Sequence, residues 1–461
     1  MIKLPTKKLK KYWISVFNLR VVCIILFALV LFETNVTTAE TAKISTIASA
    51  KTYSNYPPKL ISYIREHCQL NNSADRKSET YVEVDQLAYY DNLQLLKKQV
   101  LKDACRLMVV IKTDAYNNGL EHLAKVAEFA GVDYIGITEN SEVLKIRSLG
   151  IILPICRLRL ASPKELSTVH SNSQLYGNVE EMVGNLNMCR FLSKLGAEQN
   201  KIINVHISLN SGRMSRDGFD MSCPGSKDSI MALLKLKNIC VKGIMTHFAN
   251  ADTDSIEILK KLVAEFKTDA EWIISEGGLK RKDVLLHAAA SSLAVRIPES
   301  HFDMVRLATI TYGIKTVKEA PEGLKQILSL YTCVGQIMPF PKGNVVGYGS
   351  TCQLDRDSYL AILPFGWSNG LPRNTKYALI HGQKVKIAGR LCMNATMVDI
   401  TDIHDQVKKG DQVVFIGKQG NETITIDDIS ESTGTPLNLV IQIDVGKLNA
   451  AARYPKKLID K

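Results

Sequence analysis

The chain has 461 residues, of which 46% are apolar, 23% charged and 7% aromatic, with 28 Gly and 14 Pro. That composition fits a globular protein of two or three domains and excludes a disordered chain, a collagen, a disulfide miniprotein and a polytopic membrane protein. Of the formal charge of +12, six positive residues and one acidic residue lie within the first 39, so the remainder carries +7, with no block of like charges and no basic–aromatic interleaving; this argues against nucleic-acid binding.

The N-terminus reads as an export signal over residues 1–39. Lys3, Lys7, Lys8, Lys10, Lys11 and Arg20 form a basic region, and residues 21–32 (VVCIILFALVLF) an apolar run too short for a comfortable span. Small residues near Ala39 offer a cleavage site; an uncleaved anchor is the alternative. The expected location is the periplasm, with no stable membrane span after cleavage. Residues 40–79 are a polar leader with one short helix near 58–67. The nine cysteines beyond the signal form no C-x-x-C pair, and their pairing cannot be deduced.

From Thr80 the texture changes. TYVEVD (80–85) alternates like a strand, and LAYYDNLQLLKKQV (87–100) has helical spacing. Short β-rich runs then recur at 106–112, 134–138, 152–158, 173–178, 203–209, 240–246, 283–288 and 304–309. Helical stretches separate most of them, clearest at 120–131, 141–150 and 254–277. Eight strands with helical crossovers predict an α/β fold, a (β/α)8 TIM barrel over 80–320. The stretch from 321 to 461 alternates with Gly and Asn punctuation and predicts a C-terminal all-β domain; the strand at 80–85 is a candidate member of it.

A barrel's reactive groups sit at the C-terminal ends of its strands. Lys112, Asp114 and Tyr116 follow the first strand, Arg157 and Arg159 the third, and Asn210, Ser211, Arg213 and Arg216 the fifth. His247 follows the sixth, Ser291 and Ser292 the seventh, and Arg306 lies on the eighth. No carboxylate pair is among them, which argues against glycosidase chemistry. The two histidines there, His247 and His287, lack the carboxylate or Cys partners of a metal site. A lysine ending the run MVVIK can be desolvated into a nucleophile, or can simply pair with Asp114.

Eight motifs in order carry a resemblance: VVIKTDAYNNG (109–119), LNSGRMSRDG (209–218), GIMTHFA (243–249), LHAAASS (286–292), HFDMVR (301–306), VVGYGST (345–351), LPFGWSNGLPR (363–373) and GRLCMNATMVDIT (389–401). Together they resemble the pyridoxal-phosphate-dependent alanine racemases of fold type III. RLRLAS (157–162) and the MSR loop are most similar to the periplasmic broad-specificity amino-acid racemases. The resemblance implies a barrel plus a β domain, pyridoxal 5'-phosphate as cofactor, and interconversion of L- and D-amino acids such as Lys, Arg and Ala. Racemisation needs a proton removed from one face of Cα and returned on the other, so two acid/bases are required. By resemblance these are Lys112, which also binds the cofactor, and Tyr348. Tyr116 and Ser291, with the backbone near Thr309, resemble the phosphate-holding groups, His247 the histidine beside the ring, and Arg306 the arginine facing the pyridine nitrogen. Arg216 and Met393 resemble the substrate-carboxylate contacts, Met393 through its backbone. A homodimer with shared sites is implied, because catalytic groups are split between barrel and β domain.

The sequence also departs from the family. Gly366-Trp367-Ser368-Asn369-Gly370 stands where Gly-Tyr-x-Asp-Gly is usual, and Ala290 where Asn is usual. Two alternatives remain at this point: a decarboxylase of the same architecture, disfavoured by Arg306, and a cofactor-binding homologue without turnover.

Overall fold

The computed structural model describes residues 53–69, 79–211, 217–436 and 453–455. The expected export signal and Arg216 lie outside the described residues. Pro58–Gln69 is a helix, close to the 58–67 expected, and opens on a proline, whose missing N–H has no partner to lose in a first turn.

β1 (Tyr81–Val84) leads into the helix Gln86–Gln99, capped by Asp85, whose carboxylate accepts the Ala88 N–H at 2.9 Å. Eight strands follow: β2 (Arg106–Val110), β3 (Tyr134–Ile137), β4 (Ile155–Arg157), β5 (Val179–Val183), β6 (Ile203–Ser208), β7 (Ile239–Met245), β8 (Leu285–His287) and β9 (Met304–Leu307). All pair in parallel, in the order β8-β7-β6-β5-β4-β3-β2-β9. The seam between β8 and β9 is bridged by the Arg306 N–H to Ala289 O at 2.9 Å and the Asp303 N–H to Leu286 O at 3.1 Å, so the sheet is a nearly closed barrel. Its interior is filled by Met108, Val110, Tyr134, Cys156, Leu158, Met182, Met245 and Met304.

One expected element is displaced. The fourth strand of the barrel, read at 173–178, is β5 at Val179–Val183, while Ser173–Tyr176 is a helical turn ended by Gly177 at φ +65°. The true strand, VEEMV, carries two carboxylates and so lacks an apolar signal. Both are buried because each has partners: Glu181 with Arg157 at 2.8 Å and His170 at 3.2 Å, Glu180 with His206 at 2.7 Å.

Beyond the barrel lie β10 (Leu328–Cys333), β11 (Gln336–Phe340), β12 (Val345–Val346), β13 (Cys352–Gln353), β14 (Ser358–Leu363), β15 (Tyr377–Ile380), β16 (Gln383–Ile387), β17 (Thr396–Asp399), β18 (Gln412–Gln419), β19 (Glu422–Ile424) and β20 (Arg453–Pro455). Most form one sheet in the order β11-β14-β17-β16-β15-β18-β10-β1-β20, antiparallel except for β1 beside β20; β19 adds to β18, and β12 pairs with β13 alone. β1 therefore belongs to this second sheet, pairing Tyr81 with Tyr331 through stacked rings 4.9 Å apart. Asn92, on the helix Gln86–Gln99, holds the segment that links the barrel to the second sheet, donating to Thr311 O at 3.0 Å and Lys325 O at 2.7 Å.

Candidate active site

β2 runs straight into an unusual turn. Thr113, Asp114, Ala115, Tyr116 and Asn117 all hold φ between 53° and 65°, a left-handed turn of non-glycine residues directly after Lys112. Each such residue costs about 1–2 kcal/mol, so the turn persists only where its surroundings fix it. Ala115 N–H reaches Ile111 O at 2.9 Å, Asn118 Nδ2 reaches Ala115 O at 2.9 Å, and the Asp114 carboxylate accepts the Leu120 N–H at 2.9 Å. The buried Glu142 accepts the Thr113 N–H on one oxygen and the Thr138 and Glu139 N–H groups on the other, at 2.8 and 2.9 Å. Lys112 Nζ lies 5.8 Å from the Tyr116 ring centroid.

β9 lies beside β2, with Met108 opposite Arg306. The Arg306 guanidinium is buried. Nη1 donates to His287 O at 2.7 Å and contacts His287 Nδ1 at 3.1 Å; Nη2 donates to Thr246 O at 2.8 Å and Ala288 O at 3.1 Å. Burial, then the Arg306 cation and His206, hold His287 well below the usual imidazole range. Burial pulls His206 the same way, but Cys156 and Glu180 outweigh it and push it up to about 10. Ser291, also buried, opens the helix Ser291–Arg296 and accepts the Ala308 N–H at 3.0 Å. His247 follows β7 directly after Thr246. Lys112, Arg306, Ser291 and His247 thus stand at the C-terminal ends of β2, β9, β8 and β7, successive strands around the rim.

Tyr348 and Met393 lie on loops of the β domain. Gly347, Gly349 and Ser350 all have positive φ around Tyr348, whose ring is 62% exposed and has the Arg373 guanidinium 6.0 Å above it. Met393 is 53% exposed. Its carbonyl accepts Ser368 Oγ at 2.7 Å and the Ser368 N–H at 3.1 Å. The divergent Gly366–Gly370 loop therefore folds against it. A side chain at Gly366 would put its Cβ 2.2 Å from Met393 O, so only glycine fits that approach.

Two arginines expected at the mouth are engaged elsewhere. Arg157 is fully buried, bound to Glu181, Thr138 O at 2.9 Å and Asn140 Oδ1 at 2.7 Å, and Arg159 holds Glu139 and Glu165. Glu142, Glu180 and His206 were not singled out by sequence. The signal available was a charged or imidazole side chain inside an otherwise apolar strand, or at the third position of a helix.

Among the described residues no helix is long and apolar enough to cross a membrane. A parallel barrel carrying a lysine at its mouth, followed by an antiparallel sheet, is the architecture of the fold-type III pyridoxal-phosphate enzymes. Comparison with known proteins narrows this. The family description "Alanine racemase, N-terminal domain" matches residues 84–316, and "Alanine racemase, C-terminal domain" matches 327–445. A broad specificity amino-acid racemase of Aeromonas hydrophila is 36% identical over 370 residues, covering 80% of this chain and 88% of that protein. A lysine racemase of Proteus mirabilis is 35% identical, covering 77% and 85%. The solved structure of an alanine racemase from Clostridium difficile aligns with a TM-score of 0.71 at 27% identity, covering 79% of this chain and 93% of that one. The chain belongs to the alanine racemase family, a pyridoxal-phosphate-dependent family of isomerases.

Proposed function

We propose that this protein is an exported amino-acid racemase of broad specificity that uses pyridoxal 5'-phosphate and two bases, Lys112 and Tyr348. The observation that carries the reading is the pairing of Lys112, held on a left-handed turn, with the buried Arg306 guanidinium on the adjacent strand. The donor set suits the cofactor: an amine at Lys112 for its carbonyl, hydroxyls at Tyr116 and Ser291 with the backbone near Thr309 for its phosphate, and a fixed cation at Arg306 for its ring nitrogen. His247, on the neighbouring rim position after β7, would stand beside the ring.

When bound, the cofactor supplies an electron sink for the Cα–H bond. The chain's own groups do the rest. Lys112 Nζ takes or returns a proton on one face of Cα, and Tyr348 Oη on the other. Arg306, protonated at any working pH and locked to four acceptors, does not give the ring nitrogen a proton as a carboxylic acid would. That limits delocalisation and disfavours side reactions such as transamination. The Met393 backbone and Arg216 would hold the substrate carboxylate.

The exposure of Tyr348 and Met393 in a single chain supports a homodimer in which the β domain of one subunit closes the barrel of the other, since a base needs a site shielded from water. The apolar run at 21–32 behind a basic segment supports export to the periplasm. The names of the relatives, a broad specificity amino-acid racemase, a lysine racemase and an alanine racemase, support a substrate range that includes Lys and Ala. The +7 of the chain beyond residue 39 works against steering of cationic substrates, so specificity rests on the site itself.

The test is chiral chromatography of a panel of L-amino acids incubated with purified protein and pyridoxal phosphate. Racemisation of several, including Lys or Arg at least as well as Ala, is expected. In Lys112→Ala both turnover and the cofactor's absorbance near 420 nm, from its covalent attachment, are expected to vanish. Absorbance without racemisation of any amino acid would mark a cofactor-binding homologue and sink the proposal.

A further inference from the structure

Behind Arg306 the barrel interior carries a line of side chains, Glu180, His206 and His287, that the chemistry above does not use. Glu180 on β5, His206 on β6, His287 on β8 and Arg306 on β9 are each at most 4% exposed. Glu180 Oε2 lies 2.7 Å from His206 Nε2, His206 Nδ1 lies 2.8 Å from His287 Nε2, and His287 Nδ1 lies 3.1 Å from Arg306 Nη1. β7 separates β6 from β8, and its Gly243 makes the crossing possible: a Cβ there would sit 2.2 Å from His206 Nδ1.

Hydrogen-bond chemistry fixes the direction of this line. A guanidinium offers only donors, so His287 Nδ1 has to accept. A neutral His287 then carries its proton on Nε2 and donates it to His206 Nδ1. His206 in turn carries its proton on Nε2 and donates it to the Glu180 carboxylate. One order of protons satisfies all three contacts, and every donor points from Arg306 towards Glu180. The competing arrangement protonates both nitrogens of His206. It would force the His287 proton onto Nδ1, donor against donor at 3.1 Å from Arg306. Cys156 and Glu180 pull His206 towards that arrangement; what opposes it is geometry, the donor-only Arg306 guanidinium 3.1 Å from His287 Nδ1, which leaves a proton there no acceptor.

We propose that Glu180 and His206 are positioning residues for Arg306: by anchoring a one-way line of hydrogen bonds they keep His287 Nδ1 an acceptor and so hold the guanidinium in place. The consequence for the cofactor rests on the function proposed above; the proton order does not.

The full-length protein labelled with 15N-histidine tests the order directly, through imidazole 1H–15N correlation spectra before and after addition of pyridoxal phosphate. His287 is expected as the Nε2–H tautomer with an unprotonated Nδ1, and His206 as singly protonated on Nε2. In Glu180→Gln, whose amide oxygen still accepts from His206, the tautomers are expected to persist. In Glu180→Leu they are expected to scramble, and pyridoxal-phosphate affinity to fall about tenfold, the scale of one lost charge-assisted hydrogen bond. A His287 proton on Nδ1 in the unmodified protein, or an unchanged spectrum and affinity in Glu180→Leu, would overturn the proposal. Should Glu180→Leu not fold, the unmodified spectrum alone still decides. The expected tautomers together with a silent racemisation panel would instead count against the proposed function and leave the line of bonds standing.

Discussion

Five successive L-residues in the left-handed region, Thr113 to Asn117, are costly by about 1–2 kcal/mol each, and the rest of the molecule has to repay that strain. Glu142 is the side chain best placed to do so, because its two oxygens are shared among three backbone N–H groups on two different loops. Replacing it by glutamine puts an amide N–H2 where one set of those donors needs an acceptor. Glu142→Gln is therefore expected to lose about 1–3 kcal/mol, the cost of a buried unsatisfied donor. Urea denaturation of the purified variant measures the loss. Because the strained turn begins at Lys112, the same variant is also expected to take up pyridoxal phosphate more slowly than the parent, followed by absorbance. A variant as stable as the parent would show that the turn is held by its own hydrogen bonds instead.

At the scale of the element, β5 is held in the barrel wall by charge as well as by the apolar burial of Val179, Met182 and Val183. Burial alone would raise the Glu181 carboxyl, but His170 and Arg157 outweigh it and hold it below the usual carboxylate value. A carboxyl depressed on folding contributes stability above its unfolded pKa, near 4.3 for glutamate, and loses it as pH falls through the folded value. Glu181→Gln strands the Arg157 cation, so it is expected to be about 3–5 kcal/mol less stable at pH 7. That gap should narrow as pH is lowered from about 4 towards 2, because acid removes the same charge from the parent. Denaturant midpoints measured across that range check the sign. The pair also explains what could and could not be read from sequence. Strands such as β3 and β6 are buried on both faces and read as largely apolar runs, and the long helix Ile256–Glu276 keeps its 3.6-residue period. β5 does not, because Glu180 and Glu181 meet their partners on other elements only after the barrel closes. The left-handed turn was equally hidden: Asp114 and Asn117 tolerate positive φ better than most side chains, but Thr113, Ala115 and Tyr116 do not, and no glycine marks the turn. Lys112 and Arg306 stood out because each ends or interrupts an apolar strand within a family motif.

At the scale of the whole molecule, the proposed bases lie on different domains, Lys112 at the end of β2 and Tyr348 between β12 and β13. If a two-fold dimer completes each site from two chains, two inactive variants should rescue one another. Mixing Lys112→Ala with Tyr348→Phe and allowing subunits to exchange is expected to restore about a quarter of the parent activity, because half of the dimers are mixed and each has one intact site of two. Exchange is verified by mass spectrometry of the mixed dimers. No recovery despite exchange would place both bases in one chain.

The membership of β1 in the second sheet sets a timetable for synthesis. The Thr80 and Thr332 hydroxyls sit 2.8 Å apart yet are 252 residues apart in the chain. A ribosome completes the whole barrel before β10 exists to receive β1, and β20 comes later still. The nascent chain thus carries an orphan strand, with both edges open, past an entire folded unit, and such edges recruit other chains. Expressing residues 79–320 is expected to give more aggregate than expressing residues 85–320, which never display that strand, and the soluble fraction of each lysate measures the difference.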